Sequence, residues 1–316
     1  MTATASNPAY TLYYYTTLTS SAQTSITPST TTAGEFTYYV AEGQTNSCIG
    51  PKKELKVLVY PKPLITGPTN TTIEGCSTSA ITNLAYSETA VNITLSQLTT
   101  AGGSFSNNAN VGMYSLSYID TKSGTCPIIV NRTFQITSAC GITSVSQTIT
   151  IKDTTPPVIS NTAGSLDTTV LCSADVPAIN ISAITATDNC QESVIISHVG
   201  DETISGTCAN KFSIIRTYKA TDVCGNSSEF IQNITVNDNI LPTIICTKNI
   251  IVNTDLGTCG ASNVTLGNPT IDDNCSTPTV TNNAPAIFPI GDTIVTWTVT
   301  DACGNKATCS QIVTVS

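Results

Sequence analysis

The chain has 316 residues, with 12 Lys and Arg against 21 Asp and Glu, a net charge of −9 and only 10% charged residues. The clustered basic residues that phosphate binding needs are missing, which argues against nucleic acid as a partner, and no apolar run approaches the roughly 20 residues that span a bilayer. The length exceeds one ordinary sandwich core. Thr, Ser, Asn, Ile and Val dominate where helix-favouring runs of Ala, Leu, Glu and Lys would stand, so the expected class is all-β.

The N-terminal "MTATASNPAYTLYYY" has neither a basic nor an apolar leader region and reads as no signal peptide. Half a domain follows, which suggests a fragment of a longer chain. Four segments then end alike, and they divide the chain into residues 1–63, 64–156, 157–242 and 243–316. The endings are "TYYVAEGQTNSCIGPKKELKVLVYPKP", "RTFQITSACGITSVSQTITIKDTTPP", "RTYKATDVCGNSSEFIQNITVNDNILP" and "TWTVTDACGNKATCSQIVTVS". Each is an alternating strand, a Cys-containing turn and a second alternating strand. The turn cysteines Cys48, Cys140, Cys224 and Cys303 are spaced by 92, 84 and 79 residues, the size of a seven-stranded sandwich.

Period-two alternation places Phe134, Tyr218 and Trp297 on the inner face, together with Ile136, Ala220 and Val299, and turns Thr296, Thr298 and Thr300 outward. Arg132 and Arg216 fall on the inward register. They are expected to lie under the sheet edge with their guanidinium groups in water. The joints "VYPKPLIT", "KDTTPPVIS" and "NDNILPTI" hold prolines and no glycine, so they should be short and stiff. Four such sandwiches in line would make an extended rod on the order of 140 Å long.

Thirteen cysteines stand beside a single histidine, His198, and no C-x-x-C occurs. Spacing of this kind points to disulfides and an oxidising, extracytoplasmic setting, not to zinc. One histidine in a strand offers no positioned base for nucleophilic catalysis. Asp272 and Asp273, adjacent on a strand, point to opposite faces and make no glycosidase pair. An enzyme is therefore not expected.

The last segment resembles a HYR (hyalin repeat) domain, an immunoglobulin-like sandwich, through Cys246, "GTCGA", "DDNC", "FPIGDTIVTW", "TDACGN" and "TCSQIVTV". Residues 157–242 resemble it more loosely through "TDNC", "RTYKATDVCGN" and "VNDNILP", and residues 64–156 weakly. Residues 1–63 are similar to Ig-like repeats of large Bacteroidetes surface proteins. Thr- and Asn-rich mixed arrays with "DTTPP" joints are similar to the giant SprB-type gliding adhesins of Flavobacteria. The resemblance implies tandem Ig-like β-sandwiches at the cell surface, outside the outer membrane. Partners would be the secretion (type IX) and gliding machinery, and an extracellular surface or polysaccharide bound by regions beyond this segment.

The Ig-like arrangement implies disulfides Cys190–Cys224 and Cys275–Cys303 at one pole of their modules. At the other pole it implies Cys172–Cys208 and, in the second module, Cys76–Cys126. Cys246 and Cys309 are paired on neighbouring first and last strands. Cys48, Cys140 and Cys259 are left over. The linker acids begin at the pole of the "DNC" and "DxCGN" loops. Asp153, Asp188 and Asp222 therefore form one candidate cluster, and Asp238, Asp272 or Asp273, and Asp301 a second. Three carboxylates suit a hard cation such as Ca²⁺; alternatively, each Asp only caps its own turn.

The expected function is a disulfide-stapled stalk in a surface adhesin. The alternative is a carbohydrate-binding or accessory array of a secreted hydrolase, with Tyr13, Tyr14, Tyr15, Tyr38 and Tyr39 as a sugar platform. The "NITL" at Asn92, "NRT" at Asn131, "NIS" at Asn180 and "NVT" at Asn263 are glycosylation sequons only in a eukaryotic setting.

Overall fold

Alternation along the chain becomes burial. In the strand Ile128–Ser138, Val130, Arg132, Phe134 and Ile136 are buried while Asn131, Gln135 and Thr137 face solvent. Tyr218 and Ala220, and Trp297 and Val299, repeat the inner-face pattern in Lys211–Thr221 and Gly291–Thr300. A computed structural model describes residues 3–45, 48–106, 113–190 and 193–316, and the chain divides into two compact units, Met1–Asp153 and Thr154–Ser316. Strands make up nearly all the regular structure. Among the described residues the α-helix is one six-residue segment, Leu95–Thr100, closed by a Thr94/Gln97 capping box.

Among the described residues the first unit holds two larger sheets and one small pair. Thr11–Tyr15, Gly34–Thr45, Cys48–Ile49 and Lys53–Val59 form a four-stranded sheet. A five-stranded sheet follows, in the order Thr71–Glu74, Gly141–Lys152, Ile128–Ser138, Tyr114–Ser123 and Val91–Ile93. The small pair Leu64–Thr66 and Ser104–Ser106 covers its inner face, Ile65 and Phe105 packing with Phe134, Ile136 and Tyr118.

In the second unit the plan recurs twice. One four-stranded sheet runs Thr168–Val170, Ser227–Asn237, Lys211–Thr221, Ile195–Cys208, against the pair Val158–Ile159 and Ala186–Thr187. The next runs Ile250–Val252, Lys306–Val315, Gly291–Thr300, Thr279–Asn282, against two small pairs that bring Ile244, Ala261 and Phe288 onto Trp297 and Val295. These are β-sandwiches with one full layer and one reduced layer.

In all three sandwiches a short strand joins the last strand in parallel, and the same latch holds it. A buried glutamine on the last strand donates to a carbonyl just ahead of the short strand. Gln147 reaches the Thr69 carbonyl at 2.8 Å, Gln232 that of Leu166 at 2.7 Å, and Gln311 that of Lys248 at 2.8 Å. One residue further on, the N–H groups of Thr148, Asn233 and Ile312 donate to the side chains of Asn70, Asp167 and Asn249. A parallel strand has no hairpin to set its register, and these side chains supply it. Gln311 also donates to the Leu266 carbonyl at 3.1 Å and accepts from the Trp297 indole at 3.1 Å. Gln311→Leu should therefore leave a buried indole N–H and two carbonyls short of partners. A loss of about 2–4 kcal/mol is expected, at about 1–3 kcal/mol for each unsatisfied group that cannot relax, measured by urea unfolding followed through the single tryptophan.

The arginines do not behave as the sequence suggested. Arg132 is 1% exposed, and its guanidinium forks onto Asp120, Nε to Oδ1 and Nη2 to Oδ2 both at 2.8 Å, while lying over the Tyr118 ring. Arg216 forks likewise onto Asp201 and donates to the Pro177 carbonyl at 2.8 Å. In each case the acid stands directly opposite the arginine on the adjacent strand. A paired charge can stay buried where a lone one would have to reach water. Arg216 holds the Asp201 carboxyl below its usual range, against the opposing effect of desolvation. His198 Nε2 lies 2.8 Å from the same carboxylate.

Tyr13 and Tyr15 are buried in the first sheet's core, and the Lys52 ammonium sits 3.7 Å over the Tyr15 ring. Those two tyrosines serve the core and are not a sugar platform.

Candidate metal centre

Each "DxCGN" turn is closed by its own aspartate. The Asp301 N–H donates to the Asn305 carbonyl at 3.1 Å, Oδ1 accepts from the Cys303 and Asn305 N–H groups at 2.8 Å, and Oδ2 accepts from Asn305 Nδ2 at 2.7 Å. Asp222 and Asn226 make the equivalent bonds one module earlier. Gly225 and Gly304 both sit at φ +86°, a left-handed position where a side chain would be strained. Burial works to raise the Asp301 pKa, but the bonds from Asn305, Cys303 and Gly304 prevail and hold its carboxyl low.

The linker residue Asp238 is fully buried. Its N–H donates to the Asn210 carbonyl at 2.9 Å, its Oδ1 accepts from Ile240 at 3.3 Å, and its own carbonyl accepts from Asn305 Nδ2 at 3.3 Å. Asn210 in turn accepts the Ser173 N–H at 2.9 Å. This buried asparagine, joining three distant segments, has no mark in "TCANKF" that would single it out. From the "DDNC" loop, Asp273 Oδ2 accepts from the Cys275 and Ser276 N–H groups and the Ser276 hydroxyl, at 2.9 to 3.2 Å.

Carboxylate oxygens of Asp238, Asp273 and Asp301 lie within 4.8 Å of one another. Of the alternatives Asp272 and Asp273, the structure brings in Asp273; Asp272 is exposed and pairs through its backbone with Thr243. Each aspartate caps a turn or linker and also joins the cluster, so the two roles do not compete. Among the described residues, no Lys, Arg or His forms an ion pair with these three. Ionised carboxylates at this spacing repel by roughly 3 kcal/mol per pair at an effective dielectric of about 20. In the other candidate group, Asp188 caps Cys190 at 2.9 Å, Asp222 closes its own turn, and Asp153 is buried at the end of the first unit.

The disulfides around the centre depart from the expected pairing. Cys172 is bonded to Cys275, with Cα atoms 5.1 Å apart, and Cys208 to Cys303, at 5.2 Å. The expected Cys172–Cys208 and Cys275–Cys303 bonds within modules are absent. The far pole of the third module abuts the near pole of the fourth, so all four cysteines meet at the joint and pair across it. Cys246–Cys309 pairs as expected, but Cys246 follows the short strand Thr243–Ile245 of a small pair, so the bond ties that pair to the last strand of the main sheet. Cys76, Cys126, Cys190 and Cys224 are also disulfide-bonded, and Cys48, Cys140 and Cys259 are free.

Comparison with known proteins places these features. Residues 237–315 match the family model of the HYR domain, and residues 159–236 that of the HYR-like domain with 4 cysteines. The second span holds Cys172, Cys190, Cys208 and Cys224. Hyalin of Strongylocentrotus purpuratus is 29% identical over 193 residues, 58% of this chain and 16% of that protein. Hyalin of Lytechinus variegatus is 32% identical over 171 residues, 52% of this chain and 31% of that one. The chain thus matches a third or less of either relative's length.

Similar solved structures include the protocadherin gamma B4 extracellular domain (11% identity, TM-score 0.29, 96% of this chain and 61% of that one). Drosophila N-cadherin EC1-4 is another (10% identity, TM-score 0.26, 100% and 94%). At such scores they add nothing to the fold described above. Residues 159–315 thus match two HYR-type repeat models in tandem, the first of the four-cysteine kind, and the two matched repeats are joined to each other by two disulfides.

Proposed function

We propose that the chain is a structural segment of a secreted, cell-surface adhesive protein, in which tandem repeats carry load and reach and perform no catalysis. The observation that carries this reading is the pair of bonds Cys172–Cys275 and Cys208–Cys303, which cross from one repeat to the next. Such bonds persist in an oxidising, extracytoplasmic setting. They also remove the hinge that a linker between domains would otherwise provide. The HYR-type repeats and the hyalin relatives agree with an extracellular adhesive role.

The finer placement is a gliding adhesin of the SprB type, exported by type IX secretion and held at the outer membrane. It rests on the Thr- and Asn-rich composition and the "DTTPP" joint. Antibodies against this chain should label intact, unpermeabilised cells of its source, and deletion of the gene should reduce attachment to surfaces. Labelling only after permeabilisation would refute the surface reading; normal attachment after deletion would refute the adhesive one.

A further inference from the structure

From the joint between the two HYR-type repeats we infer a divalent-cation site built by Asp238, Asp273 and Asp301 and suited to Ca²⁺. Acidic residues often gather without an ion, so the argument rests on what their oxygens do. Asp238 Oδ2 and Asp273 Oδ1 are buried and have no hydrogen-bond partner. Asp188 Oδ1 is the other such side-chain atom among the described residues. Asp238 is fully buried, so bulk solvent does not reach its bare oxygen. Buried polar atoms are nearly always satisfied, and an exception calls for an ion or water.

Asp238 and Asp273 divide the labour of their two oxygens in one pattern. One oxygen of Asp238 and one of Asp273 bind the N–H groups of their own loops, which fixes each carboxylate's direction. The second oxygen of each remains for a ligand, beside an Asp301 whose orientation is set by Asn305 and the turn N–H groups. A hard cation takes oxygens, and Ca²⁺ accepts six to eight in flexible geometry, with carbonyls and waters completing the shell. Mg²⁺ demands a tighter octahedron and gives up its water reluctantly, so this irregular set favours Ca²⁺.

The site is formed from both repeats and their linker. Asp238 is anchored to Asn210 of the third, while Asp273 and Asp301 belong to the fourth. Cys275 and Cys303, each two residues beyond a ligand, are the cysteines bonded back to the third repeat. The two disulfides thus hold the ligand loops against the linker before any cation arrives. By linkage, whatever the disulfides add to cation affinity the cation returns as resistance of the joint to opening.

The test uses the oxidised full chain, stripped with chelator and titrated with Ca²⁺ by calorimetry, with Mg²⁺ as competitor. Asp238→Asn and, separately, Asp273→Asn should each remove one bound Ca²⁺ per chain or weaken it at least tenfold, while Asp272→Asn should leave binding unchanged. Folding of the variants is checked by Trp297 fluorescence and by retention of the disulfides. No Ca²⁺ binding at millimolar concentration would overturn the site, as would binding that both folded variants keep. A chain that fails this test could still be a disulfide-tied surface repeat, so the result does not decide the proposed function.

Discussion

Changing Cys172 to Ser should free the thiol of Cys275 and leave Cys208 bonded, because the bond runs across the joint and not within the third repeat. Alkylation of the folded protein followed by peptide mass mapping reads this directly; alkylated Cys208 would restore the within-module pairing. Removing both partners, Cys172→Ser with Cys275→Ser, tests the energetics without leaving a stray thiol. The bond closes a sequence separation of 103 residues. Loops of that size contribute about 4.7 kcal/mol in the chain-entropy account, with measured values typically 2–4 kcal/mol. The loss should appear in Trp297 fluorescence, which reports the fourth module. The mechanical consequence is larger. Under force, reduction should release the stretch shielded by Cys172–Cys275 and lengthen the unfolded second unit by about 350 Å, at roughly 3.3–3.6 Å per residue. Equal extension before and after reduction would contradict a load-bearing role for this bond.

Asp120→Ala should destabilise the second module by about 3–5 kcal/mol, the usual result of leaving one partner of a buried pair uncompensated. The side chains are only 2% and 0% exposed, so Arg132 has no route to water that preserves the sheet. Hydrogen-exchange protection of Ile128–Ser138 is the suitable readout, since the tryptophan lies in another module. The double change Arg132→Val with Asp120→Val should recover most of the loss. Buried ion pairs are frequently replaceable by packed hydrophobics, and the fourth module already holds fully buried Val295 at the register of Arg132 and Arg216. If the double variant is as unstable as the single one, the pair does more than fill its site.

The corresponding change in the third module, Asp201→Ala, should cost less, because the Asp201 side chain is 29% exposed. Its effect should depend on pH. The folded carboxyl is held low by Arg216, so its contribution is present above the ordinary Asp value of about 4 and lost as pH falls through the depressed folded value.

Local pattern carried most of the fold. The strict period of two put Phe134, Tyr218 and Trp297 inside, and the recurring turn cysteine marked the repeats, because strand faces depend only on the parity of neighbouring positions. The same parity placed Arg132 and Arg216 inward but was silent about Asp120 and Asp201. Whether an inward charge is solvated or paired depends on strand register, here set between residues 12 and 15 positions apart. The latch glutamines were equally visible as "VSQTIT", "FIQNIT" and "CSQIVT". Their meaning depended on a parallel strand more than sixty residues away.

The proposed cation site divides along the same line. The motifs around Asp238, "DDNC" and "DACGN", read with the Ig-like resemblance that puts linker and loops at one pole, were enough to nominate the acids. Choosing Asp273 over Asp272 required the direction of each side chain. Cys246–Cys309, both within one module, paired as the resemblance implied. Cys172–Cys275 and Cys208–Cys303 did not, because they depend on how two separately folded poles meet. Composition and alternation, being local, determined an all-β chain of repeats. Which charges, carboxylates and sulfurs face one another was decided by tertiary contact, across distances in sequence that no local pattern encodes.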